Sequence, residues 1–510
     1  MIISKTAIKE YFNKEMNDWS FVRDIDYISL YEEVKHYYPS FNPKYKLRFH
    51  QLVSLFLCIQ NDSFLLFLEP GLGKTYISLL YCLYLKDKGY VNKTLVLVPN
   101  TILVEGWIDE VKKFTDLTCT GLVGSSKDKW QTLYSSKESD IFVTAYKGLE
   151  AMVCKNQRGR MVITNKIDDI IHMFDMVIYD EIHHCSNSKA LITKICDRLS
   201  DNIAYRLGLT GTPFGRNLMN LWAQFNLIDH GDTLGSKAMF KFAFFKVVLN
   251  YMGFPEDKFK DNLRPVLKKR MSNKSIFYSL DECLDLPEIN YQVIKVPMSR
   301  DGLIFYNQTI SDIIDSKGEV QVIQNSFVRL RNLTSGYMSF LLEDERKDRE
   351  EFFHNPKFDA LLEILEEILP SKVVIFYEYN VTGDIIQREL KTNKIKSVRL
   401  RGGLADKKKK EQLDKFLKKD CSILLINTKL GEGLNLQESC NYCIFYETSP
   451  SPIVRTQNER RIHRIGQGKK VIIYDVVVRN SIDEKILFYL KEGKDLFDEI
   501  LKGSTRIERL

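Results

Sequence analysis

The chain has 510 residues, 44% of them hydrophobic and 28% charged, enough for more than one domain and for large apolar cores. Its 74 basic and 67 acidic residues leave a net charge of +7, a mild excess that permits a nucleic-acid partner without demanding one. No apolar run approaches about 18 residues, and the first ten carry Lys5 and Lys9 without a continuous apolar stretch, so neither a membrane span nor a secretory leader is expected. The 10 cysteines are scattered, with one close pair, Cys440 and Cys443, inside an apparent strand; zinc is not expected, and a reducing cytoplasmic or nuclear compartment is.

Residues 1–45, rich in aromatics and mixed charge, are read as a small helical extension. From 46 to 235 short apolar strands (64–68, 94–98, 141–144, 176–179 and 206–209) alternate with helical patterns, which predicts a parallel sheet with helices on both faces. Just upstream of the first strand, Gln51 offers an amide that both donates and accepts, the chemistry an adenine edge requires. The strand runs into Glu69-Pro70-Gly71-Leu72-Gly73-Lys74-Thr75, and Ile77, Leu80, Tyr81 and Tyr84 then recur at helical spacing. Strand, glycine turn, Lys-Thr and helix is the context of a phosphate-binding loop, although the strict pattern has glycine where this chain has Leu68. Gly71 and Gly73 allow backbone N–H groups to approach phosphates, Lys74 suits the β- and γ-phosphates, and Thr75 suits Mg²⁺.

Asp180-Glu181-Ile182-His183 follows the strand at 176–179. A carboxylate at the C-terminal end of a strand downstream of a phosphate loop fits a Mg²⁺-holding role for Asp180, and Glu181 fits polarisation of the attacking water. Leu209-Thr210-Gly211-Thr212-Pro213 ends the next strand. Thr210 and Thr212 present small hydroxyls toward the acidic segment, and with His183 they are read as a coupling device that senses hydrolysis.

Residues 236–354 change character and are read as a mostly helical insertion or linker. The strand–helix rhythm returns over 355–510, with strands at 372–377, 397–400, 422–426, 442–446 and 471–477, followed by C-terminal helices. This second α/β unit has no phosphate loop, so one nucleotide site is expected. The lysine run 407–410 reads as a solvated helix face. Gly431 and Gly433 allow close backbone approach, to a ribose or to a facing domain. Gln457, Arg461 and Arg464 lie in the string 457–467; the two arginines, three apart, would share a face on a helix and suit a γ-phosphate bound elsewhere in the chain.

The string Arg461-Ile462-His463-Arg464-Ile465-Gly466-Gln467 resembles the hallmark of the Swi/Snf-type branch of superfamily 2 helicase-like ATPases. The phosphate loop, Leu209 to Pro213, Gly433-Leu434-Asn435-Leu436, Leu218 to Trp222, and Lys269-Arg270 with Leu286-Pro287 are similar to further elements of that family, and together they cover about 46–480. Departures are Glu69-Pro70 before the glycines, Asn220 where aspartate is usual, Ile182 where alanine or glycine is common, and a reduced Pro450-Ser451-Pro452. The resemblance implies two RecA-like parallel-sheet lobes in tandem, ATP and Mg²⁺ as cofactors, and an ATPase motor that tracks double-stranded DNA through sequence-independent backbone contacts. By motif position those contacts would be Asn100, Thr101, Thr144, Tyr146, Arg401, Thr428 and Lys429. A strand-separating or annealing helicase acting on DNA or RNA is the alternative, and a non-hydrolysing scaffold is a third. Without a recognisable targeting module, a compact bacterial, phage or viral form is expected.

Overall fold

The computed structural model describes residues 11–12, 16, 19–211, 218–249, 255–283, 286–315, 320–341, 347–404, 406–418, 421–430, 434–464 and 466–493. Thr212, Gly431 and Gly433 lie outside them. The chain forms two compact units, Met1–Val248 with Pro255–Leu284, and Leu249–Phe254 with Asp285–Leu510.

In chain order the first unit contains β1 (Ser63–Leu68), β2 (Thr94–Val98), β3 (Cys119–Gly121), β4 (Ile141–Ala145), a hairpin of β5 (Cys154–Gln157) and β6 (Arg160–Ile163), β7 (Met176–Asp180), β8 (Tyr205–Thr210), a hairpin of β9 (Phe245–Leu249) and β10 (Pro255–Phe259), and β11 (Ser275–Tyr278). Seven of these strands form one sheet in the order β11-β1-β8-β7-β2-β4-β3, parallel throughout. Every residue of β1, β2 and β4 is buried, as expected for strands covered by helices on both faces. The register sets Phe67 beside Thr210, Leu68 beside Tyr278, and Asp180 beside Leu209. Three loops that leave neighbouring strands therefore share one edge of the sheet, the usual location for a ligand in such folds.

The N-terminal extension covers the β11 side of this sheet. Asp26 caps the helix Tyr27–Tyr37 by accepting from the backbone N–H groups of Ile28 and Ser29, both at 3.0 Å. The Trp19 indole N–H donates to the Asn273 carbonyl at 3.2 Å, and the Arg23 guanidinium lies 4.4 Å from the Tyr278 ring centroid. Arg270 donates to the carbonyls of Thr233, Tyr11 and Phe12, tying the first described residues to the helix Arg264–Met271.

The second unit contains β12 (Ile289–Val296), a hairpin of β13 (Tyr337–Leu341) and β14 (Lys347–Glu351), β15 (Val373–Tyr377), β16 (Ser397–Leu400), β17 (Ile423–Asn427), β18 (Tyr442–Phe445) and β19 (Val471–Val478). Its sheet runs β12-β19-β18-β15-β17-β16, again parallel. Both α/β units thus have the expected class. Residues 236–354 do hold helices, among them Arg300–Asp315 and Val320–Thr334, but they also give β11 to the first sheet and β12 to the second. Neither strand is a continuous apolar run. β11 has only four residues, and β12 alternates half-buried and exposed positions as an edge strand does. All ten cysteines are free, and Cys440 and Cys443 are both buried. Among the described residues no helix is long and apolar enough to cross a membrane.

Buried charges organise the second unit. The helix Pro452–Glu459 is held by Arg455, whose guanidinium grips the Asp475 carboxylate with two nitrogens, donates to Glu459 at 2.6 Å, and stacks 3.6 Å from the Phe445 ring centroid. Lys357, 1% exposed, donates to Asp483 at 2.7 Å, and Asp483 also accepts from Thr334 and from the Val478 N–H. Removing one partner of such a pair strands the other charge in the interior. Asp483→Ala is therefore expected to destabilise this unit by roughly 3–5 kcal/mol, measured by denaturant unfolding of the full chain.

Candidate active site

β1 ends at Leu68, and the chain turns through Glu69 to Gly73 into the helix Lys74–Asp87. Gly71 and Gly73 adopt φ of 100° and 84°, the left-handed region that favours glycine. At Gly73 a Cβ would also stand 2.4 Å from the Gln51 amide nitrogen. Lys74 Nζ donates to the Leu68 carbonyl at 2.8 Å and so lies folded over the loop it would serve. Thr75 follows in the first turn of the helix, half-buried.

Gln51, expected to read an adenine edge, makes two hydrogen bonds within the protein. Its Oε1 accepts from the Arg48 N–H at 2.9 Å and its Nε2 donates to the Leu72 carbonyl at 3.2 Å. The residue caps its own helix, Phe49–Ile59, and braces the phosphate loop from behind. His50, beside it, also meets the Leu72 carbonyl, through Nε2 at 3.1 Å, and burial lowers its pKa below the usual imidazole range. The sequence offered no signal for His50 beyond its place before Gln51.

At the end of β7, Asp180 and Glu181 are both buried and behave as opposites. Burial, then the adjacent Glu181 charge, lift the Asp180 carboxyl to about 6, against the opposing effects of the Trp107 hydrogen bond and the Lys74 charge. Burial works to raise Glu181 as well, but the Lys74 charge and the His183 and Thr210 hydrogen bonds outweigh it and hold this carboxyl well below its ordinary range. Glu181 is therefore the stronger acid of the pair, and Asp180, at about 6, still ionises for the most part at neutral pH while keeping a proton more readily as pH falls. Thr210 Oγ1 donates to Glu181 Oε2 at 3.0 Å, and with its proton so placed it accepts from His183 Nδ1 at 3.0 Å; the same imidazole nitrogen lies 3.3 Å from Glu181 Oε2. Glu181 itself has φ 49°, a left-handed conformation rare for a residue with a side chain. Trp107 Nε1 donates to Asp180 Oδ2 at 2.9 Å, a partner not anticipated from the sequence, although a buried indole N–H generally requires an acceptor.

Four of the expected nucleic-acid contacts belong to this unit, and two of them serve as internal supports. Thr144 is fully buried and donates to the Leu122 carbonyl at 3.1 Å. Tyr146, 4% exposed, donates to the Asp180 carbonyl at 2.9 Å and stacks on His184. Both side chains point into the packing behind the sheet edge, so neither is available to a backbone phosphate. Asn100 caps the helix Thr101–Phe114 by accepting from the N–H groups of Ile102 and Leu103, and Thr101 opens that helix half-buried.

In the second unit, Gln457 lies on the helix Pro452–Glu459 with 7% exposure. That helix ends before the two arginines. Arg461 and Arg464 stand in the turns that follow, so they do not share a helix face as expected. The reason is local. The Arg461 carbonyl accepts from the Leu436 N–H at 3.1 Å, Ile462 is buried in the apolar core, and Gly466 turns the chain at φ 95°. Gln467 fixes the turn, donating to the carbonyls of Gln437, Cys440 and Ile462. Arg461 is 6% exposed, and Arg464 donates to Asn435. Thr428 is 3% exposed and donates to Glu378, which corrects its reading as a surface contact. The Asn458 amide donates to the Thr428 carbonyl at 3.2 Å, joining the two motifs. Lys429 and Arg401 remain exposed, near Glu378 and Asp384 respectively.

Two family profiles match this chain, one described as SNF2-related domain over residues 14–351 and one as helicase conserved C-terminal domain over 356–466. The chain belongs to the SNF2-related family. Among curated relatives, the uncharacterized ATP-dependent helicase YqhH of Bacillus subtilis is 27% identical over 91% of this chain and 80% of its own length. The uncharacterized ATP-dependent helicase MG018 of Mycoplasma genitalium is 26% identical over 85% of this chain and 40% of its own, and the ISWI chromatin-remodeling complex ATPase CHR17 of Arabidopsis thaliana is 24% identical over 82% and 38%. The chain spans half or less of the length of most of these SNF2-related relatives. A solved Sulfolobus solfataricus SWI2/SNF2 ATPase core in complex with dsDNA aligns over 91% of this chain and 94% of its own, at 22% identity and a TM-score of 0.40.

The glycine geometry gives a direct test. Gly73→Ala places a methyl group against the Gln51 amide in a conformation that penalises any side chain. Binding of a fluorescent ATP analogue is expected to weaken by about tenfold or more with the far-ultraviolet circular dichroism unchanged.

Proposed function

We propose that this chain is an ATP-hydrolysing motor that tracks along double-stranded DNA. The observation that carries the ATPase part is the meeting, at one edge of the first sheet, of the phosphate loop with the Asp180–Glu181 pair and its Thr210–His183 hydrogen bonds. The ATP-dependent helicases and the chromatin-remodeling ATPase among its relatives support ATP as the nucleotide and a nucleic acid as the track. The fit of duplex DNA comes from the SNF2-related membership, with Arg401 and Lys429 as exposed cations in the second unit.

In this reading Lys74 exchanges the Leu68 carbonyl for the β- and γ-phosphates. Glu181, ionised and oriented by Thr210, accepts a hydrogen bond from the attacking water and polarises it. The Thr75 hydroxyl and the Asp180 carboxylate are hard oxygen donors in a site with excess negative charge, a donor set that fits Mg²⁺. When bound, the ion would neutralise charge between the β- and γ-phosphates. Gln457, Arg461 and Arg464 would come from the second unit to stabilise the transferring phosphoryl group, so turnover requires the units to close. Thr210 touches the proposed catalytic carboxylate directly and, with Thr212 and His183, forms the coupling device, while Gly433 would approach the nucleotide. Ten free cysteines fit a cytoplasmic or nuclear compartment.

Lys74→Ala is expected to abolish ATP turnover. Arg464→Ala should lower kcat by on the order of 10³ while nucleotide affinity stays within about threefold, as read by steady-state ATPase and analogue binding. Unchanged turnover in Arg464→Ala would reject the two-unit site. ATPase stimulation should be strongest with duplex DNA, and a triplex strand should be displaced without fork unwinding. Preferential stimulation by single strands or RNA would replace the tracking motor with a strand-separating helicase.

A further inference from the structure

The second sheet ends at β16, and at the N-terminal end of that strand lies a cavity of about 660 Å³. Four lysines line it from three elements. Lys391 and Lys394 come from the end of the helix Asn380–Thr392 and the turn after it, Lys396 from the residue before β16, and Lys415 from the helix Asp406–Leu417. Gln387, Gln412 and Ser397 complete the polar lining, and among the described residues no carboxylate is part of it. Of the four lysines, Lys415 is paired with Glu411 at 2.9 Å, whereas the nearby Glu389 pairs with Arg388 at 2.7 Å and Asp414 with Lys418 at 3.9 Å, outside the lining. A lysine near a helix C-terminus complements the helix dipole, which accounts for Lys391 alone. It does not account for the convergence of Lys396 and Lys415 from a strand and a second helix.

The backbone adds a second observation. Lys394 adopts φ 58° just past the helix end, the position that glycine, or sometimes asparagine, occupies in most such turns. Glycine would fill it without strain, so the cation is held there against the local conformational preference. Thr428, Gln457 and Arg401 all emerge at or beyond the C-terminal ends of their strands, whereas this cavity is at the opposite end of β16.

We propose that this cavity is a second phosphate-binding site, independent of the nucleotide loop. Lysines act as compact charges that suit phosphate from several directions, and a volume of this size admits a run of two or three phosphates with their linkers. The source favoured is the phosphate backbone of the nucleic acid track, a choice that rests on the motor reading above. Free polyphosphate presents the same chemistry.

The full chain carrying Lys391→Gln, Lys394→Gln and Lys396→Gln tests this, beside a control with the exposed lysines Lys88, Lys127 and Lys137 changed to Gln. Duplex-DNA affinity is read by anisotropy over a salt series, without nucleotide. The slope of log K against log salt is expected to become shallower by about 2–3 in the cavity variant and to stay unchanged in the control, since each lost phosphate contact removes about 0.9. ATPase without nucleic acid should be unaltered. In a Lys74→Ala background, inorganic tripolyphosphate binding that is lost with the cavity lysines, while the DNA slope holds, supports the site with free polyphosphate as its source. No effect in either arm overturns the proposal, as does an equal change in the control. Lysine-dependent capture of polyglutamate with indifference to tripolyphosphate overturns it in favour of an acidic protein. A wild-type chain that binds no nucleic acid sinks the motor reading, and the tripolyphosphate arm still decides the cavity.

Discussion

The parallel pairing of β1, β8 and β7 is the constraint from which the candidate site follows. Side chains alternate faces along a strand, so the register that sets Phe67 beside Thr210 and Asp180 beside Leu209 fixes which loop atoms meet. A slip of one residue would turn Thr210 away from Glu181. That hydroxyl is a hydrogen-bond donor that keeps a buried carboxylate charged, and without donors and the Lys74 charge burial would favour the neutral acid. The division of labour between two adjacent acids is thus a property of the sheet as much as of the sequence Asp-Glu.

The second unit answers a different demand. Its sheet carries no phosphate loop, and polar residues buried around the C-terminal strand ends hold its motifs. Glu447 shows the arrangement most fully. It accepts from the backbone N–H groups of Glu378 and Tyr379 and from the hydroxyls of Ser335 and Thr382, so four donors from two separate segments converge on one carboxylate. Arg331 donates to the Thr448 carbonyl next to it. Such networks stabilise little when complete and cost much when broken, which makes them selective for one arrangement of loops.

The local motifs were readable from the chain because their chemistry is written in consecutive residues: a glycine turn with Lys74-Thr75, an acid pair after an apolar strand, and the string around Arg464. The misreadings share a physical origin. Thr144 and Tyr146 occupy positions at a strand end where either exposure or burial is possible, and only the packing of Leu122 and Asp180 against them decides. Arg461 and Arg464 carry helical spacing, but a backbone bond from Leu436 and the burial of Ile462 end the helix first. β12 alternates half-buried and exposed residues, so its sequence lacks the continuous apolar run of an interior strand.

Glu181 holds a left-handed backbone, which a side chain disfavours by about 1–2 kcal/mol relative to glycine. Glycine at 181 would relieve that strain and also remove a buried charge. It would also leave the Thr210 hydroxyl, the His183 imidazole and the Lys74 charge without the carboxylate they face, so the strained turn is retained by the polar contacts its side chain makes.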